Sequence, residues 1–204
     1  YQALSADTKG SRNVAIGYSA LFSQNFTSST NSFNTAVGDS AGQQITTGTL
    51  NTLIGGLAGD AITTGSHNVA LGQGSLGANT TAIGNTAVGY QALTANTTGI
   101  NNTAVGKDSL LTATTASDNV AVGREAMKRA TTGHSNTGIG TEALKETTTG
   151  ASNTALGNDA LFSNTTASNN TAVGYQAGYS ITTGGFNTIL GYGAGDAANI
   201  EESV

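Results

Sequence analysis

A five-residue motif, Asn-[Thr/Val]-x-[Val/Ile/Leu]-Gly, recurs eleven times in this chain, and its spacing constrains the fold more than any other feature. It begins at Asn13, Asn34, Asn51, Asn68, Asn85, Asn102, Asn119, Asn136, Asn153, Asn170 and Asn187. From Asn34 onward each step is 17 residues; the first is 21, which places a four-residue insertion within 22–30. A second motif, Thr-Thr-[Gly/Ala], keeps the same phase from Thr46–Gly48 to Thr182–Gly184. With each unit numbered from its Asn, the two Thr fall at places 13 and 14 and the Gly or Ala at place 15. A strict period marks a unit that cannot bury its apolar face alone and does so by stacking on its neighbours.

Helix does not suit the unit. Gly, Thr and Asn recur too often, and no apolar 3.6-residue period survives. The pattern predicts an all-β, parallel β-solenoid (a β-roll) of about 12 coils, with 17 residues per coil. Two short strands per coil are expected, around places 2–4 and 7–10. At the strand spacing of about 4.8 Å per coil the rod would be roughly 55 Å long. The whole chain, 1–204, reads as one solenoid domain; it starts in mid-repeat, as expected of a segment of a longer chain.

Within the unit, place 5 is Gly in every copy: Gly17, Gly38, Gly55, Gly72, Gly89, Gly106, Gly123, Gly140, Gly157, Gly174 and Gly191. An unvarying Gly implies φ > 0 or a backbone pressed close. Place 4, always Val, Ile or Leu, and place 8, always Ala or Ser, read as interior positions. Places 9 and 12 exchange bulk. Where place 9 is Leu or Met and the spacing is regular, place 12 is Asn, Ala or Thr; Gly42, Gly59 and Gly178 at place 9 accompany Ile45, Ile62 and Ile181 at place 12. A core of fixed small volume demands such an exchange. The Asn at place 1 is expected to form a structural ladder along the rod. So thin a core predicts burial between chains, hence a homo-oligomer, most simply a parallel trimer.

Composition narrows the function. Only 9% of residues are charged, and the net charge is −5. Lys107, Arg124, Lys128, Arg129 and Lys145 are mixed with Asp108, Glu125, Glu142 and Glu146, a solvated face rather than the basic excess of a nucleic-acid track. No apolar stretch is long enough to span a membrane as a helix. With no Cys and only His67 and His134, four coils apart, no catalytic or metal constellation is visible, so neither an enzyme nor a cofactor is expected. The insertion supplies a candidate contact loop, Phe22, Gln24, Asn25 and Phe26, because exposed loop aromatics often bind partners. The alternative is that the insertion merely covers the rod.

Asn13–Gly17, and Asn85–Ala92 and Asn170–Ala177 with their Asn-Thr-Ala-Val-Gly-Tyr-Gln-Ala, resemble the head repeats of trimeric autotransporter adhesins. The 17-residue form with Thr-Thr-Gly and Tyr-Gln-Ala-Leu resembles still more the tail-fibre-like repeat proteins of bacteria and phages. The resemblance covers essentially the whole chain. It implies a trimeric, left-handed roll at an extracellular surface or in a virion fibre, with a structural and adhesive role toward a host surface protein or carbohydrate. Adhesin heads have somewhat shorter repeats, so the second strand and outer turn must differ. Two other readings stand beside it. One is a filament subunit polymerising end to end, with Glu201 and Glu202 as a possible charged stop. The other is an ice-binding solenoid using one exposed column of the Thr pairs.

Overall fold

The computed structural model describes residues 2–195; Glu201 and Glu202 lie outside them. It is an all-β parallel solenoid of about eleven turns. Each copy of the motif forms a three-residue strand at places 2–4: β2 (Val14–Ile16), β4 (Thr35–Val37), β5 (Thr52–Ile54), β6 (Val69–Leu71), β7 (Thr86–Val88), β8 (Thr103–Val105), β9 (Val120–Val122), β10 (Thr137–Ile139), β11 (Thr154–Leu156), β12 (Thr171–Val173) and β13 (Thr188–Leu190). These eleven strands make one sheet in chain order. Partners stand one period apart, as in Thr86 with Thr103, except where Val14 pairs with Thr35 across the insertion. Beside the insertion, β1 (Gly10–Ser11) and β3 (Thr30–Asn31) form a two-stranded parallel sheet.

Places 7–10, expected as a second strand, are a file of tight turns instead. In the coil starting at Asn85, Gln91 and Leu93 have φ of 53° and 54°, where a strand needs negative φ at every residue. The segment still bonds from coil to coil: the Gln91 N–H donates to the Gln73 carbonyl and the Leu93 N–H to the Ser109 carbonyl, 3.0 and 2.9 Å. Turn geometry along the chain thus coexists with a ladder between coils. Place 17 is a third left-handed column, for example His67, Asn101 and Asp118.

The place-5 glycines all have φ between 123° and 143°. Close approach reinforces the requirement: a β-carbon on Gly106 would lie 2.4 Å from the Gly123 carbonyl oxygen of the next coil.

Side chains alternate across a strand, and this sets what is inside. Places 1 and 3 point inward and places 2 and 4 outward. The core therefore combines the place-3 residue, usually Ala, with Ala or Ser at place 8 and with Leu, Met or Ile at place 9 or 12. Place 4, read from the sequence as interior, lies on the outer surface: Ile16, Leu71 and Leu156 are 59%, 43% and 46% exposed. The exchange between places 9 and 12 has a direct geometric cause. A β-carbon on Gly59 would lie 2.8 Å from Ile62 Cδ1, so the two sites feed the same volume. Place 3 joins the exchange, because Leu53 Cδ2 reaches the same point, also at 2.8 Å. Conversely, Met127 reaches so far that the residue beside it at place 3 is Gly138, where a β-carbon would sit 3.0 Å from Met127 Cγ.

Candidate functional site

The rod has four candidate sites: the asparagine file, the insertion, the charged patch and the outer face of the sheet. The Asn residues at place 1 are buried from Asn34 to Asn187. From Asn34 to Asn170 each Oδ1 accepts from the coil above. For Asn34 the donors are the Asn51 backbone N–H at 3.0 Å and Asn51 Nδ2 at 3.2 Å. Asn51 Nδ2 also donates to the Gly65 carbonyl at place 15 of its own coil, 2.9 Å. One amide thus ties strand, corner and neighbouring coil together. The adjacent threonines divide their roles. Place-13 hydroxyls donate to the place-13 carbonyl of the next coil, as Thr97 does to Thr114 at 3.0 Å. The place-14 residues, such as Thr64, Thr98 and Thr149, are exposed.

The insertion packs rather than reaches. Gln24 is fully buried and Phe26 is 7% exposed; Phe22 is half-buried, and only Asn25 of the candidate contact loop is open to solvent. Gln24 Nε2 donates to Asp7 Oδ2 at 2.6 Å, while Gln24 Oε1 accepts from Asn34 Nδ2 at 2.8 Å. The extra residues therefore extend the buried polar file toward the first coil. Sequence reasoning placed these side chains in solvent because an irregular loop usually lies there. Gln24 falls at place 12, the inward corner, and that was the available signal.

The mixed charges of the middle coils form a lattice of ion pairs between coils. Lys145 Nζ stands 2.7 Å from Glu125 Oε2 and 2.9 Å from Glu142 Oε2. Arg124 contacts Glu125 and Glu142, and Arg129 contacts Glu146. Hydrogen bonding from Lys145 holds both Glu125 and Glu142 below the ordinary carboxylate range. Among the described residues, no group of three or more His, Cys, Asp and Glu stands together in a way that could hold a metal ion.

The outer face of the sheet was missed by the sequence reading. Its outward positions, places 2 and 4 of eleven strands, are all Thr, Val, Ile or Leu. Place 17 flanks the strand on one side and place 6 on the other. Phe33, Leu50 and Phe186 are exposed on the first rim, and Tyr18, Tyr90, Tyr175 and Tyr192 on the second. Tyr175 and Tyr192 stack with ring centroids 5.1 Å apart. The signal was in the motif: with the Asn at place 1 facing inward, place 4 has the opposite phase. No family model, curated protein or solved structure matches this chain.

Proposed function

We propose that this chain is a structural and adhesive rod, a segment of an extracellular fibre that extends from a cell surface or virion, and that it acts as a homo-oligomer, a trimer in the simplest case. The observation that carries the reading is the unbroken, in-register parallel ladder from β2 to β13. Because each coil bonds chiefly to the coils above and below, the repeats set length, at about 4.8 Å per coil. A host surface protein or carbohydrate is the expected contact. No catalytic step belongs to this reading.

Excising residues 85–135, three whole periods, keeps the register. It should shorten the particle by about 14 Å in small-angle scattering. An unchanged length in a folded variant would overturn the rod. Beads coated with the protein that adhere to neither cells nor a glycan array would remove the adhesive half. End-to-end polymerisation is the second reading, favoured by the sheet order, which leaves β2 and β13 at the edges. Fibres of increasing length under the electron microscope would select it over rods of fixed length.

A further inference from the structure

We propose that Tyr175 and Tyr192 form an oxidative coupling site: a one-electron oxidant joins their rings as dityrosine and staples two successive coils of the rod. The inference goes beyond the adhesive reading and needs only the in-register stack of coils.

Composition directs the oxidant. Besides Tyr, the side chains that give up an electron most readily are Cys, Trp and Met. The chain has no Cys and no Trp, and its one Met, Met127, is fully buried. Surface tyrosine is what remains.

The period selects the pair. Tyr175 and Tyr192 both occupy place 6, so the stacking of coils sets one ring beside the other. Their centroids are 5.1 Å apart and their planes 15° from parallel. They are 42% and 82% exposed, so an oxidant in solution reaches both. Exposed side chains change rotamer quickly, which lets the ring edges meet. The other described tyrosines have no such partner. Tyr90 has Gln73 and Lys107 at place 6 of the coils on either side, and Tyr18 has Asp39 in the coil that follows. Tyr179 stacks on Phe162, centroids 5.0 Å apart, but a phenylalanine has no hydroxyl from which to form a phenoxyl radical.

The step balances with hydrogen peroxide acting through a haem peroxidase supplied from outside the chain. Each phenol loses one electron and its hydroxyl proton. The two radicals form one carbon–carbon bond between ring carbons ortho to the hydroxyls. The hydrogen on each of those carbons leaves as a proton, and each oxygen regains one. In sum, two ring hydrogens are lost and one peroxide becomes two waters. The new bond bridges coils that the Gly191 and Gly193 N–H groups already join, by donating to the Val173 and Tyr175 carbonyls at 2.9 Å each. Closing a loop of 17 residues should slow exchange of those two amides about a hundredfold.

The test treats the full 204-residue chain, at high dilution, with a haem peroxidase and limiting hydrogen peroxide. Dityrosine fluorescence should appear while the denatured chain keeps its single-chain mass of 20.1 kDa. Chymotryptic cleavage at Phe186, between the two tyrosines, should leave two peptides joined and lighter by two hydrogens than their sum. Variants are compared in a Tyr18→Phe background, because Tyr1 stands one period before Tyr18 and lies outside the described residues. Tyr175→Phe or Tyr192→Phe, each of which keeps a ring in the stack, should abolish the fluorescence. Tyr90→Phe or Tyr179→Phe should leave it. Absence of dityrosine in the treated parent, dityrosine only between chains, fluorescence that survives Tyr192→Phe, or unchanged amide exchange in the coupled chain would each overturn the proposal.

Discussion

The shared volume between places 9 and 12 makes a quantitative prediction about one coil. Leu110 is fully buried at place 9, and Ala113 occupies place 12 of the same coil. Leu110→Gly removes four carbons from the core, at about 4 kcal/mol for a substitution of this kind. Leu110 has φ of 49°, so glycine relieves a left-handed strain of about 1 kcal/mol, leaving a net loss of about 3 kcal/mol. Ala113→Ile in the parent chain drives a Cδ1 toward the Leu110 β-carbon. Its equivalent, Ile45 Cδ1, lies 3.1 Å from where a β-carbon on Gly42 would be. Overpacking of this kind costs about 2 kcal/mol. Independent effects would sum to about 5 kcal/mol. The shared volume predicts instead that Leu110→Gly/Ala113→Ile loses only about 1 kcal/mol, for a net deficit of one carbon and a coupling of about 4 kcal/mol. Urea unfolding of all four proteins at one chain concentration, followed by far-ultraviolet circular dichroism, measures the cycle. If the two losses add to within about 0.5 kcal/mol, the two places do not share a volume and the core has been misread.

Three further outcomes follow from the polar groups. Asn119→Ala should cost about 3 kcal/mol, because it strips the Asn136 backbone N–H and the Gly133 carbonyl of their buried partner, and hydrogen exchange should locate the loss in that coil and the next. Glu125 and Glu142 titrate below the usual 4.5 in the folded chain. A depressed carboxylate contributes stability above its unfolded pKa and loses it as pH falls through its folded one, so unfolding midpoints should drop below about pH 4.5. Glu125→Gln/Glu142→Gln should flatten that acid limb, and an unaltered limb would rule out the ion-pair lattice as its cause. Gln24→Ala should loosen the first coil, seen as faster proteolysis between Asp7 and Asn34, whereas a merely exposed loop residue would leave the cleavage rate unchanged.

The period, the parallel stacking and the exchange of bulk were legible because they are written in residue types that repeat. The asparagine file was equally so: a small polar amide at a fixed inward place has few uses apart from a ladder. The turn-rich path through places 7–10 was not. Leu93, Met127, Glu125 and Gln91 adopt left-handed φ there, and none of these side chains advertises it. The conformation is imposed by stacking, since the coils above and below accept and supply the same backbone bonds.

Place 4 carries the more general lesson. An apolar residue kept in every copy looks like core, and the inference fails because repetition records constraint without recording its source. In a strand the phase decides the side. Here the phase is set by Asn at place 1, whose amide must face inward to reach both the next Asn and the place-15 carbonyl. Ala at place 3 then takes the interior, and the larger place-4 residue is left outside. A thin core lined by alanine and a broad aliphatic face turned outward are two consequences of that one choice. The first limits what a single chain can bury on its own; the second provides a surface on which further copies could bury more.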